Sequence, residues 1–80
     1  MTQSSEFYNA FFAGVTNAGL EIRDHWHPED DTAVTYKLRE PRSGKTMRYT
    51  VKYASAENAE AGTRAAAEAV ARFFGGNPRP

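Results

Sequence analysis

Cysteine is absent from the sequence, which removes disulfides, thiolate metal ligands and a cysteine nucleophile together. Large aliphatic residues are scarce: Leu, Ile, Val and Phe number 12 of 80, while 13 residues are Ala. A disordered chain combines that scarcity with a high net charge, but here 10 basic and 10 acidic residues cancel. Five Phe, four Tyr and one Trp supply the missing bulk, each ring burying on the order of 150–250 Å². The chain is therefore expected to fold, as a single domain over residues 1–80 with an ordered core from about 5 to 75. No apolar run approaches the ~18 residues of a membrane span, and no basic stretch leads into an apolar one at the start. The expectations are no membrane association and a cytoplasmic location. A core this thin also leaves no room for a deep enclosed pocket.

What is present is periodicity. Phe7, Tyr8, Phe11, Phe12 and Val15 recur at spacings of three and four, which predicts an apolar stripe on a helix from Glu6 to Ala18. Ser4 or Ser5 can cap it, Glu6 suits the positive end of its dipole, and Gly19 stands where the helix should stop. From Leu20 to His27 the period becomes two, with Leu20, Ile22 and Trp26 on one parity. Asp24 interrupts the apolar side, so this strand should be an edge or carry a bulge. Thr32–Glu40 and Thr46–Tyr53 alternate cleanly, and Pro41-Arg42-Ser43-Gly44 between them has hairpin-loop chemistry. Ser55 is the expected cap of a second helix reaching about Phe74, with Ala59, Gly62, Ala66, Ala69, Val70 and Phe73 inward. The prediction is an α+β domain in α-β-β-β-α order, its three-stranded antiparallel sheet covered by both helices on one face.

Pairing Glu40 with Lys45 across that loop sets Leu38 opposite Met47, Tyr36 opposite Tyr49 and Val34 opposite Val51. The uncovered face then holds Lys37 across from Arg48, Arg39 across from Thr46 and Thr35 across from Thr50; a two-residue loop would keep the faces and set Arg39 against Arg48 instead. Two opposed cations cost from a few tenths up to about 1 kcal/mol when nothing anionic is near. Residues 37–52 carry six basic side chains and one acidic, whereas residues 21–31 carry five acidic and one basic. The two regions either neutralise each other across the sheet or form a site for an anionic partner. The residues of such a site are Lys37, Arg39, Arg48 and Lys52, with Arg42 and Lys45 beside them.

The element order is similar to that of double-stranded-RNA-binding domains. That family starts its second helix with a lysine-rich motif that grips phosphates; here the matching stretch is Ser55-Ala56-Glu57-Asn58-Ala59-Glu60, acidic and without lysine. The likeness is one of topology and excludes the residues that bind RNA. Gly44-Lys45-Thr46 lacks the upstream glycine and the following helix of a phosphate-binding loop. No Gly-x-Ser-x-Gly elbow and no acid–base constellation is present.

One run is rich in metal-ligating side chains, Asp24 to Asp31, with His25 and His27 on one side of a strand. A metal site needs a third ligand aimed at the same point, and the plain reading is two exposed histidines among carboxylates. Trp26 is expected to cover the core beneath the first helix. Were it exposed, it would anchor a protein interface with His25, His27, Glu29 and Asp31 around it. These features point to a binding module without catalysis, metal or cofactor. Its size suits a small regulatory or inhibitory protein, of the kind phages and mobile elements encode, with a protein partner, with nucleic acid bound by the basic hairpin as the alternative and a histidine-based metal site as the third reading.

Overall fold

The computed structural model describes residues 4–26 and 32–75. The elements run α1 (Ser5–Asn17), β1 (Glu21–Trp26), β2 (Ala33–Arg39), β3 (Thr46–Lys52), a single 3-10 turn (Tyr53–Ser55) and α2 (Ala59–Gly75). The strands form one antiparallel sheet in the order β1-β2-β3. Both helices cover one face of it, giving the α+β arrangement that the periodicity predicts. Residues 27–31, where the sequence predicts a turn at Pro28-Glu29-Asp30-Asp31, lie outside the described residues.

Local chemistry sets the boundaries of α1. The Ser4 hydroxyl accepts a hydrogen bond from the Phe7 amide at 2.9 Å, which satisfies one of the donors left free at a helix start. At the other end Gly19 takes φ +91°, its N–H donates to the Thr16 carbonyl, and Leu20 N–H reaches back to Val15. That pair of bonds is the Schellman closure, and it carries buried Leu20 onto the core beside Val15. Phe7, Phe11 and Val15 are buried as predicted. Phe12 is not: it lies a quarter-turn round, 46% exposed, and among the described residues its ring stacks only on Tyr8.

Helix α2 starts later than predicted. Ser55 closes the 3-10 turn instead, and Asn58 becomes the cap, its Oδ1 accepting from the Ala61 amide at 2.8 Å. Ala59, predicted inward, is now the first residue of the helix and exposed, whereas Ala65 is buried beside Gly62, Ala66, Ala69 and Phe73, with Val70 partly buried. Small residues on this face let the helices approach closely. A β-carbon built on Gly14 would sit 2.5 Å from that of Ala66, and one on Gly62 would strike the Phe7 carbonyl oxygen.

Beneath the helices, Phe11 stacks against Tyr36 at 4.7 Å and against Phe7 and Tyr49 at 5.9 Å. Aromatic rings therefore span helix and sheet where aliphatic residues are few.

Strand β1 departs from simple alternation. Ile22 pairs with Leu38, but Asp24 pairs with the next residue along, Lys37, so Arg23 is the extra residue of a bulge. Strict alternation would have aimed Asp24 at the helices, where an unpaired carboxylate is costly. The bulge turns Asp24 out, and it reverses everything downstream. His25, opposite Tyr36, moves to the helix side, and Trp26, opposite Thr35, moves to the open face. The expectation that Trp26 covers the core under α1 is thereby corrected.

Candidate binding face

The open face is built from the outward positions of three strands. The predicted register holds residue for residue: Lys37 faces Arg48, Arg39 faces Thr46, Thr35 faces Thr50 and Ala33 faces Lys52. Thr35 and Thr50 join hydroxyls at 2.7 Å. Although it points outward, Thr35 is only 7% exposed. Its neighbours across the sheet are Trp26 and Thr50, and the Trp26 indole reaches across to stack under the Arg48 guanidinium, 5.4 Å from the ring centre. A stacked arginine at such a site gains about 0.5–1 kcal/mol when exposed and more when a partner excludes water.

Charges on this face are unevenly matched. Glu21 lies 3.7 Å from Arg39 and 3.4 Å from Arg23, at the β1 side. Asp24 spends one carboxylate oxygen on the His25 amide at 2.8 Å. Among the described residues neither Lys37 nor Lys52 has an ion-pair partner, and Arg48 has only the Trp26 ring. The face grades from acid-balanced at β1 to cationic at β3.

Two of the six predicted cations lie elsewhere. Arg42 is exposed in the hairpin loop. Lys45 turns to the helix side, where its Nζ donates to the Phe73 carbonyl at 3.0 Å and lies over the Phe73 ring. There it closes the negative end of α2. Of the proposed interface set, Trp26 is on the open face and His25 is on the other, its ring 6.3 Å from that of Tyr36. His27, Glu29 and Asp31 fall outside the described residues. Among the described residues no three metal-ligating side chains converge, and no helix is long and apolar enough to cross a membrane.

Sequence reasoning missed a second feature, a groove of about 810 Å³ between β3 and the first half of α2. At its end Tyr49 donates to Glu68 at 2.7 Å, and Arg72 binds Glu68 at 2.8 Å while lying over the Tyr49 ring. Burial, followed by the adjacent carboxylate, pushes the Tyr49 phenol up from 10.0 to about 12. The same hydrogen bond, with the Arg72 charge, lowers the Glu68 carboxyl. The phenol holds its proton more tightly when folded, so its contribution is complete below pH 10 and disappears as pH rises through 12. Urea midpoints measured from pH 8 to 12 should fall more steeply for the wild type than for Tyr49→Phe. Parallel curves would mean that the phenol is not held in the folded state.

Comparison with models of protein families, with curated proteins and with solved structures finds no match.

Proposed function

We propose that the protein is a non-catalytic binding module, a small regulatory or inhibitory protein whose open sheet face docks on an acidic surface of a protein partner. The observation that carries this reading is Trp26 laid across the sheet with Arg48 stacked on it, beside Lys37 and Lys52, neither of which has an ion-pair partner among the described residues. Tryptophan and arginine dominate interface hot spots because each buries large area at low entropic cost and still offers a polar group. Lys37 stands between Asp24 on β1 and Arg48 on β3, so its repulsion with Arg48 is offset in part by Asp24, and a carboxylate arriving beside Arg48 completes the balance. Nucleic acid is the weaker reading. Glu21 and Asp24 stand on the same face and repel a phosphate track, and the zero net charge removes long-range attraction to a polyanion.

An amide-resolved NMR titration at low salt with three probes separates the two readings: an acidic decapeptide, a short duplex and a single strand. The decapeptide should shift the amides of Trp26, Thr35, Lys37 and Arg48. The Lys37→Glu, Arg48→Glu double variant should weaken its binding at least tenfold without unfolding the chain. Salt-sensitive shifts over residues 35–52 with the duplex or single strand alone would replace this reading with the nucleic-acid one.

A further inference from the structure

Strand β3 ends the sheet, so among the described residues one of its edges has no neighbouring strand. Antiparallel pairing sends the backbone groups of alternate residues to opposite edges. Tyr53 N–H donates to the Thr32 carbonyl at 2.9 Å, so residues of that parity, Met47, Tyr49 and Val51, direct their backbone toward β2. The N–H and C=O groups of Arg48, Thr50 and Lys52 therefore face the free edge, and no backbone partner meets them among the described residues. This edge opens directly on the groove along α2, whose lining sets Val51, Ala61 and Ala65 among the charged side chains of Glu57, Arg64 and Glu68, so that carboxylates of an added strand are repelled from the groove and favoured on the opposite face.

An exposed edge is a template for another strand, and side-chain charge decides which one. A second copy fits poorly. Antiparallel self-pairing centred on Thr50 sets Arg48 of each copy against Lys52 of the other, like charge on like. A strand with a carboxylate at every second position reverses the sign of both contacts. Its intervening side chains fall on the helix side, into the groove beside Val51, Ala61 and Ala65.

We infer that the free edge of β3 takes an extended segment of alternating acidic and apolar residues from a partner protein, added as a fourth strand. The inference rests on the acidic-partner reading and specifies how that partner engages. Main-chain hydrogen bonds to Arg48, Thr50 and Lys52 supply affinity, and the alternation supplies specificity.

The test uses a hexapeptide alternating glutamate and valine, and a twin N-methylated on alternate amides so that it cannot pair with a strand. The unmethylated peptide should shift the amides of Arg48, Thr50, Lys52 and residues 61–65 and slow hydrogen exchange at Thr50. The twin should bind at least tenfold more weakly. Thr50→Pro removes the outward N–H while sparing the β2 ladder, and should give a similar loss. Equal binding by both peptides, with shifts confined to Trp26, Lys37 and Arg39, would overturn strand addition and leave the open-face reading standing. No binding at millimolar peptide also overturns the inference; the acidic decapeptide then decides the open-face reading on its own. Concentration-dependent shifts along β3 in the free protein would overturn it in favour of a second copy.

Discussion

Gly62→Ala should destabilise the protein by about 3 kcal/mol and lower its melting temperature by roughly 12–24 °C. On helix propensity alone the sign is opposite, since alanine in a helix interior is favoured over glycine by about 1 kcal/mol. Packing outweighs propensity here because of what the new methyl meets. Its nearest neighbours are the Phe7 carbonyl oxygen, the Ala10 β-carbon at 2.9 Å and the Phe11 amide nitrogen at 3.1 Å. Two of these are backbone atoms of α1, which cannot swing aside as the end of a side chain does. Relief requires the helices to separate, which withdraws Phe7 and Phe11 from the sheet. An 80-residue domain has about 4–12 kcal/mol of stability in all, so the loss is a large share. Gly75→Ala is the matched control, because a β-carbon there meets nothing within 4 Å. It should be neutral or stabilising. Gly14→Ala should fall between them, since its obstacle is a single methyl, that of Ala66. Urea denaturation of the three variants checks the order, and a Gly62→Ala protein as stable as the wild type would contradict the close approach of the helices.

The same contrast between local and tertiary information decides what could be read from the sequence. The β2–β3 hairpin was legible because its alternation and its loop chemistry are local; together they fix the two faces, and a loop at Pro41–Gly44 gives the register that the structure shows. The opposition of Lys37 and Arg48 follows from that register and was legible with it. The end of α1 was legible for a similar reason, a glycine placed one residue past a periodic stripe. Strand β1 was legible only in part. Asp24 signalled an irregularity, but counting parity does not say which residue is extra, and the faces of His25 and Trp26 both hang on that choice. With Arg23 as the extra residue, the one tryptophan leaves the core and meets an arginine two strands away, a contact that no sequence window contains. Ser55 and Asn58 both qualify as caps by residue type. The 3-10 turn that separates them is set by how β3 leaves the sheet, with buried Tyr53 and Ala56 holding it down. The groove between β3 and α2 is likewise a product of packing, since small residues draw α2 toward α1 and leave the β3 edge uncovered.

Phe11→Ala should cost about 3–5 kcal/mol, enough to leave a marginal domain largely unfolded at 37 °C. Phe11 is fully buried and touches three other rings, those of Phe7, Tyr36 and Tyr49, so it ties α1 to the central strand β2 and to the edge strand β3. Truncation removes its transfer free energy and leaves a cavity bounded by flat rings, which cannot collapse as a set of aliphatic side chains can. Phe12→Ala is the comparison that gives the number meaning. The residue type, helix and chemical change are the same, but Phe12 is half exposed and among the described residues stacks only on Tyr8, so its loss should stay under about 1 kcal/mol. Urea unfolding of the pair reads the difference directly. If Phe12→Ala were the more damaging, α1 would present a face rotated by one residue, and the seating of Tyr36 would change with it. That bears on binding, because Tyr36 and Lys37 are adjacent on β2 and point to opposite faces of the same sheet. A variant that loosens Tyr36 from beneath displaces Lys37 above, so Phe11→Ala should lose affinity for the acidic decapeptide although residue 11 lies on the far side from it. Lys37→Glu should lose the same affinity with its urea midpoint unchanged, and that split separates a residue of the face from one that supports it.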